Sequence, residues 1–196
     1  MRLSLMPVNL RALDTGLTSA WREAFEGIRN VDIRAGDILE SAADAIVSPA
    51  NSFGYMDGGI DLVYRNFFGA GFETRLQEQI QARHDGELPV GQAIILETGH
   101  KALPFLIAAP TMRVPTNVSE TINAYLAFRA ALPAVQQHNA LHGRRIRSLL
   151  WRDGVWAGRP ADGRSLSGGH AQGTADRGHS NMAAALRATA IARLAG

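Results

Sequence analysis

The chain contains no cysteine, which excludes disulfides, thiolate metal sites and a cysteine nucleophile. Strong charge of either sign is also missing. Twenty Lys and Arg against 18 Asp and Glu leave a formal net charge of +2, too weak a global field to argue for specific nucleic-acid binding. No uninterrupted apolar run reaches the roughly 18–20 residues of a membrane span, and the N-terminus lacks the long apolar core of a secretory signal. The reading is a soluble protein with no membrane partner and a cytoplasmic address, with which the lack of disulfides is compatible. There is no Gly-x-Ser-x-Gly elbow, no Ser-His-Asp order and no internal repeat.

What is present suits one domain. A length of 196 residues with 46% hydrophobic and 19% charged residues can bury a sizeable core but not two. Leu3, Leu5 and Val8 alternate loosely, and Pro7 favours placing that strand at a sheet edge. Leu17, Trp21, Phe25 and Ile28 recur at near-helical spacing, ending by Gly27. Val31 and Ile33, then Ala45 to Val47, read as two strands. Ile60, Val63, Tyr64, Phe67 and Phe68 mark an amphipathic helix face, and Glu73 to about Arg83 a second helix.

Ala93 to Leu96 reads as another strand, and the apolar run Phe105 to Ala109 as a central one covered on both faces. A helix through Ile122 to Leu132 has Thr116, Asn117 or Ser119 as capping candidates, and Pro133 should kink it or start a new segment. Ile146 to Trp151 reads as a last strand, and Met182 to Leu194 as an alanine-rich helix. Alternating strands and helices predict an α/β fold, its mainly parallel or mixed sheet covered on both faces. Trp151 to Asn181 breaks this rhythm. Its 7 glycines and 4 arginines follow no periodicity, so irregular loop is the reading, of unusual length for a compact domain.

The chemistry concentrates between Val31 and Gly69. Asp37, after Gly36 at a predicted strand end, can accept from an exocyclic amine; an acid there can equally cap a turn or face solvent. Asn51, just past the second strand, can orient a ribose hydroxyl or a water, or simply hold a turn. Gly58 and Gly59 permit close backbone approach and expose amide donors to a phosphate, as a plain turn would also. Ile60 opens a helix whose N-terminus favours an anion. Asp61 lies in that first turn, where an acid also stabilises the helix dipole. His138 and His142 stand at i, i+4, a spacing that can hold a metal, but no third ligand is near and no metal is expected. Arg144, Arg145 and Arg147 read as a solvated basic turn.

Gly36-Asp37-Ile38, Ser48-Pro49-Ala50-Asn51, Asp57-Gly58-Gly59-Ile60-Asp61 and the APTMRVP run from Ala109 to Pro115 resemble the macrodomain family, in a bacterial or phage-related branch. The likeness covers Val31 to about Leu150. It implies one macrodomain over residues 1–196, a three-layer α/β/α fold with a central mixed sheet. It further implies ADP-ribose or an ADP-ribosylated protein as partner, no required cofactor, and hydrolysis of ADP-ribosyl bonds on proteins or small molecules. In that resemblance Asp37, with Ile38, contacts adenine and Asn51 the distal ribose. Gly58, Gly59 and Ile60 take phosphate or ribose, and Asp61, with Asn51, positions or activates the attacking water.

Three departures stand out. Ser48 replaces the first Asn of the usual Asn-Ala-Ala-Asn, so that amide's role is not carried over. Asp57 stands where glycine is usual, and residues 151–181 do not match the expected glycine-rich diphosphate loop. A diverged loop or a shifted reading frame would account for the last; an uninterrupted matching frame in close relatives would exclude the second. Two other functions therefore stand beside hydrolysis: a non-catalytic ADP-ribose reader, and a degraded or structural phage-associated relative.

Overall fold

The computed structural model describes residues 6–118, 121–143 and 145–152. Leu3, Leu5, Ser119, Arg144, the 153–181 part of the irregular stretch and the expected Met182–Leu194 helix lie outside the described residues. The described elements run β1 (Val8–Ala12), α1 (Thr15–Ala24), β2 (Val31–Ala35), a 3-10 turn (Ile38–Glu40), β3 (Ala45–Ser48), α2 (Gly59–Phe68) and α3 (Gly71–His84). After them come β4 (Ile94–Glu97), β5 (Phe105–Ala108), α4 (Asn123–His142) and β6 (Leu149–Trp151).

The six strands form one sheet in the order β2-β1-β6-β3-β5-β4. Every pairing is parallel except β4 with β5, which is antiparallel at the edge. The sheet is therefore mixed, as expected. One expectation fails: β1 is not an edge strand, because it pairs with β2 on one side and β6 on the other. Pro7 sits just before the strand, where its missing N–H interrupts no ladder.

Side-chain alternation along the inner strands divides the core in two. Ala45, Val47, Phe105, Ile107, Leu149 and Trp151 face the side covered by Leu17, Trp21 and Phe25 from α1 and its neighbouring turn, and by the Ala124, Ala127, Phe128, Ala131, Leu132 and Val135 stripe of α4. Ile46, Leu106, Ala108 and Leu150 face the other, against Tyr64 of α2 and Phe72, Leu76 and Ile80 of α3. Strands buried on both faces need continuous apolar runs, and β3, β5 and β6 are buried at every position. This is the three-layer α/β/α arrangement.

Local chemistry fixes the helix ends. The Asp14 side chain caps α1 by accepting from the Leu17 N–H at 2.8 Å. Pro133 does not divide α4, which runs unbroken through it. The proline is exposed, while buried residues on both sides of it anchor the helix to the sheet. Their packing outweighs the roughly 3 kcal/mol an interior proline costs. None of the expected cap residues starts α4; Thr121 accepts from the Asn123 N–H at 3.2 Å instead. Among the described residues no helix is long and apolar enough to cross a membrane.

Candidate functional site

Parallel strands deliver their C-terminal ends to one rim of a sheet, where open α/β folds bind ligands. Here β2 ends before Asp37, β3 ends at Ser48 with Asn51 just beyond, and β6 ends before Arg152. The chain after β3 turns over this rim and enters α2 at Gly58–Asp61. The buried Tyr64 lies within electrostatic range of Asp61, Arg152 and Asp37, so α2 and the ends of β6 and β2 share this rim.

Asp61 is the electrostatic centre of this rim. It is 9% exposed although it sits in the first turn of α2. Its Oδ1 accepts a short hydrogen bond from the Ser48 hydroxyl, itself wholly buried at the end of β3. Burial drives the carboxyl from its ordinary 3.8 up to about 7; the Ser48 bond opposes the rise, and the nearby charge of Asp57 adds to it. Asp57 itself is exposed. Tyr64 lies one turn on, its phenol fully buried without a hydrogen-bond partner among the described residues. Desolvation, then the Asp61 charge, push its pKa upward.

Gly58 is the N-cap of α2 in extended conformation and offers no side-chain bond, and Gly59 has φ 56°. The amides opening the helix therefore have no side-chain cap, and both glycines are exposed. Asp37 is exposed, and its Oδ1 accepts from the Leu39 N–H at 3.0 Å, capping the 3-10 turn. Buried Arg11 ties that turn to the sheet through Ser41 at 3.1 Å and Asp32 at 2.7 Å. The Ile38 side chain lies in the core, 1% exposed.

Asn51 is committed to its own loop. Its Nδ2 donates to the Tyr55 carbonyl at 2.7 Å, and its Oδ1 accepts from Phe53 and Tyr55 N–H at 3.1 and 3.2 Å. That loop rests on α3: Gly54 has φ 71°, and an added Cβ would stand 2.8 Å from Ile80 Cδ1. Glu73 braces the next turn, accepting from the Met56 N–H at 2.8 Å while paired with Arg65 at 3.1 Å.

The sequence candidates Asp37, Asn51, Gly58, Gly59, Ile60 and Asp61 thus stand on segments gathered at one rim, but not in equal roles. Among the described residues Asp61 keeps one oxygen beyond its bond to Ser48 and the α2 start has no side-chain cap, whereas the Asn51 amide is engaged and the Ile38 side chain is core. Sequence reasoning missed Ser48, Tyr64, Glu73 and Arg152. The signal for Ser48 was its place as the one polar side chain ending an otherwise apolar strand. Among the described residues no group of three or more His, Asp or Glu is arranged to hold a metal. His138 and His142 have ring centroids 4.8 Å apart, but His138 packs edge-on against Phe105.

Residues 31–129 match the model of the family described as Macro-like domain. An uncharacterized protein of Aquifex aeolicus is 35% identical over 103 residues, 53% of this chain and 59% of that protein. One of Aeropyrum pernix is 34% identical over 106 residues, 54% of this chain and 53% of that protein. The chain therefore matches little more than half the length of these curated relatives. Among solved structures, the macrodomain of Mycobacterium tuberculosis DarG is 15% identical, with 60% of this chain and 94% of that one covered and a TM-score of 0.45. An Oceanobacillus iheyensis macrodomain variant with ADPR is 18% identical, with 76% and 75% covered and a TM-score of 0.49.

Proposed function

The chain belongs to the Macro-like domain family, and from that premise we propose that it binds ADP-ribose at the rim around Asp61 and hydrolyses ADP-ribosyl bonds on proteins or small molecules. The observation that carries the reading is the buried Asp61 carboxylate beside an uncapped helix start. The amides of Gly58, Gly59 and Ile60 are suited to phosphate or ribose oxygens, helped by the positive end of the α2 dipole. Asp37 keeps an exposed carboxylate for the exocyclic amine of adenine, reached from the 3-10 turn that Arg11 anchors.

Asp61 is the general base. A carboxyl pushed up to about 7 exchanges its proton at neutral pH, the range in which proton transfer to a base is most effective. Ionised Asp61 takes a proton from water as the water oxygen bonds to the anomeric carbon, and the bond to the leaving group breaks through an oxocarbenium-like state. The leaving group departs with the bonding electron pair and takes up a proton from solvent where it needs one. Asn51 acts here through the loop it holds, since its amide is already engaged. The exposed Asp57 contributes by raising the Asp61 pKa. In this reading the protein is a single macrodomain that acts in the cytoplasm and requires no metal.

The engaged Asn51 amide also favours a second reading, in which the domain reads ADP-ribose without cleaving it. Calorimetry tests binding: ADP-ribose should saturate, and Asp37→Ala should weaken it; no heat at high ligand concentration rejects both readings. Release of ADP-ribose from a modified protein separates them. Loss of release in Asp61→Ala with binding retained supports the hydrolase, and no release from the wild type leaves the reader.

A further inference from the structure

We infer that Ser48 is a positioning residue for the proposed hydrolysis, its hydroxyl fixing one oxygen of Asp61 so that the other faces the attacking water as a carboxylate. This rests on the hydrolase reading above. The resembling motif has asparagine at this position, so the role is particular to this chain's serine.

The geometry is constrained from both sides. Ser48 closes β3, and its backbone is held by the register with Ala108 and by the Ala109 N–H donating to its carbonyl at 3.0 Å. Its side chain therefore has little freedom except rotation about χ1, and it is wholly buried. Asp61 is carried by α2, whose Tyr64 packs into the core one turn away. Ser48 Oγ is the one hydrogen-bond donor to the Asp61 carboxylate among the described residues. The charge acting on Asp61 is that of Asp57 before α2; Arg152 after β6 and Asp37 after β2 act on the neighbouring neutral Tyr64 phenol. Neither of the other acids can donate to Asp61, and the phenol makes no bond to it. A buried carboxylate with a single donor depends on that donor to stay ionised.

Ser48→Ala removes the donor and leaves the shape of the strand nearly intact. A hydrogen bond to a charged group corresponds to a displacement of about one to two pH units. From a starting value of about 7, the rate of ADP-ribose release at pH 7 should fall roughly five- to fiftyfold and recover at higher pH. The same displacement should appear in the carboxylate-carbon NMR titration of Asp61, assigned with Asp61→Asn. Ser48→Cys, with a weaker donor in the same place, should move the midpoint less and in the same direction. A loss of rate equal at all pH values, or an Asp61 midpoint unmoved in Ser48→Ala, overturns the inference. The NMR titration needs no turnover, so a wild type that releases no ADP-ribose removes the hydrolase reading while the Ser48–Asp61 coupling is still decided.

Discussion

Replacing Asp61 by asparagine should change how the fold responds to pH, in a direction opposite to ordinary acid denaturation. In the unfolded chain the carboxyl titrates at its ordinary 3.8; in the folded chain burial holds it near 7. Below 3.8 both states carry the proton and the group makes no demand. Between 3.8 and about 7 only the folded state keeps it, so the unfolded state binds fewer protons and stability falls as pH rises. Above about 7 the loss is complete, because the folded protein then holds a buried charge with one hydrogen bond. At 1.36 kcal/mol per pH unit the gap corresponds to about 4 kcal/mol, a large part of the roughly 5–15 kcal/mol that stabilises a domain. Asparagine cannot titrate, and its carbonyl can still accept from Ser48. Denaturant unfolding of both proteins at intervals from pH 4 to 8.5 isolates the effect, since groups not coupled to Asp61 cancel in the difference. The variant should gain on the wild type steadily, by about 4 kcal/mol at pH 8. Parallel stability curves across that range would refute the reasoning.

Three further outcomes are expected. Gly54→Ala places a Cβ 2.8 Å from Ile80 Cδ1 at a left-handed position, and should lower stability by roughly 2–4 kcal/mol in thermal unfolding. An unchanged midpoint would mean the loop does not rest on α3. Asn51→Ala breaks three bonds within residues 51–55; the Phe53 and Tyr55 amides should exchange with deuterium much faster, at a cost of about 1–3 kcal/mol. If instead their protection persists and only ADP-ribose binding suffers, Asn51 is a ligand contact. Glu73→Gln keeps an acceptor for Met56 but loses the charge opposite Arg65; denaturant unfolding should move by less than about 1 kcal/mol, whereas Glu73→Ala should cost more.

The layers were legible because periodicity records which face of an element is buried. Ile60, Tyr64 and Phe68 of the expected α2 face and the continuous run of β5 do pack on the core, but Val63 and Phe67, read onto the same face, are exposed, because periodicity does not say how wide a stripe the sheet covers. Strand order was not legible. Pro7 favours an edge in sequence, but β1 lies inside because β6 returns beside it, and nothing local encodes which distant strand comes back. Pro133 misled for a related reason: local cost was readable, while the alanine stripe that offsets it acts only once packed on the sheet. In the site, the resemblance of Asp57-Gly58-Gly59-Ile60-Asp61 to the macrodomain loop singles out Asp61; its residue type and place alone fit a dipole-stabilising acid equally well. Its burial and its bond to Ser48 depend on how α2 docks against β3, a tertiary fact. Asn51 shows the limit of residue chemistry, since an amide able to orient a ligand was equally able to staple its own loop.

The three residues of β6 join the two halves of the sheet. β1 and β3 do not pair with each other; each pairs with β6, and its side chains enter both halves of the core. A chain emerging from the ribosome makes β1 early and must wait for Leu149 before that strand can meet β3. Until then the β1–β2 pair and the β3–β5–β4 set are separate, with open edges facing each other. Assembly is thus limited by closure of long loops, and the rim that holds Asp61 is completed only after Leu149–Trp151 has been synthesised. Damage to β6 should accordingly be felt first as failure to mature during synthesis, with substitutions at Leu149 or Leu150 reducing the soluble yield more than they alter a molecule already folded.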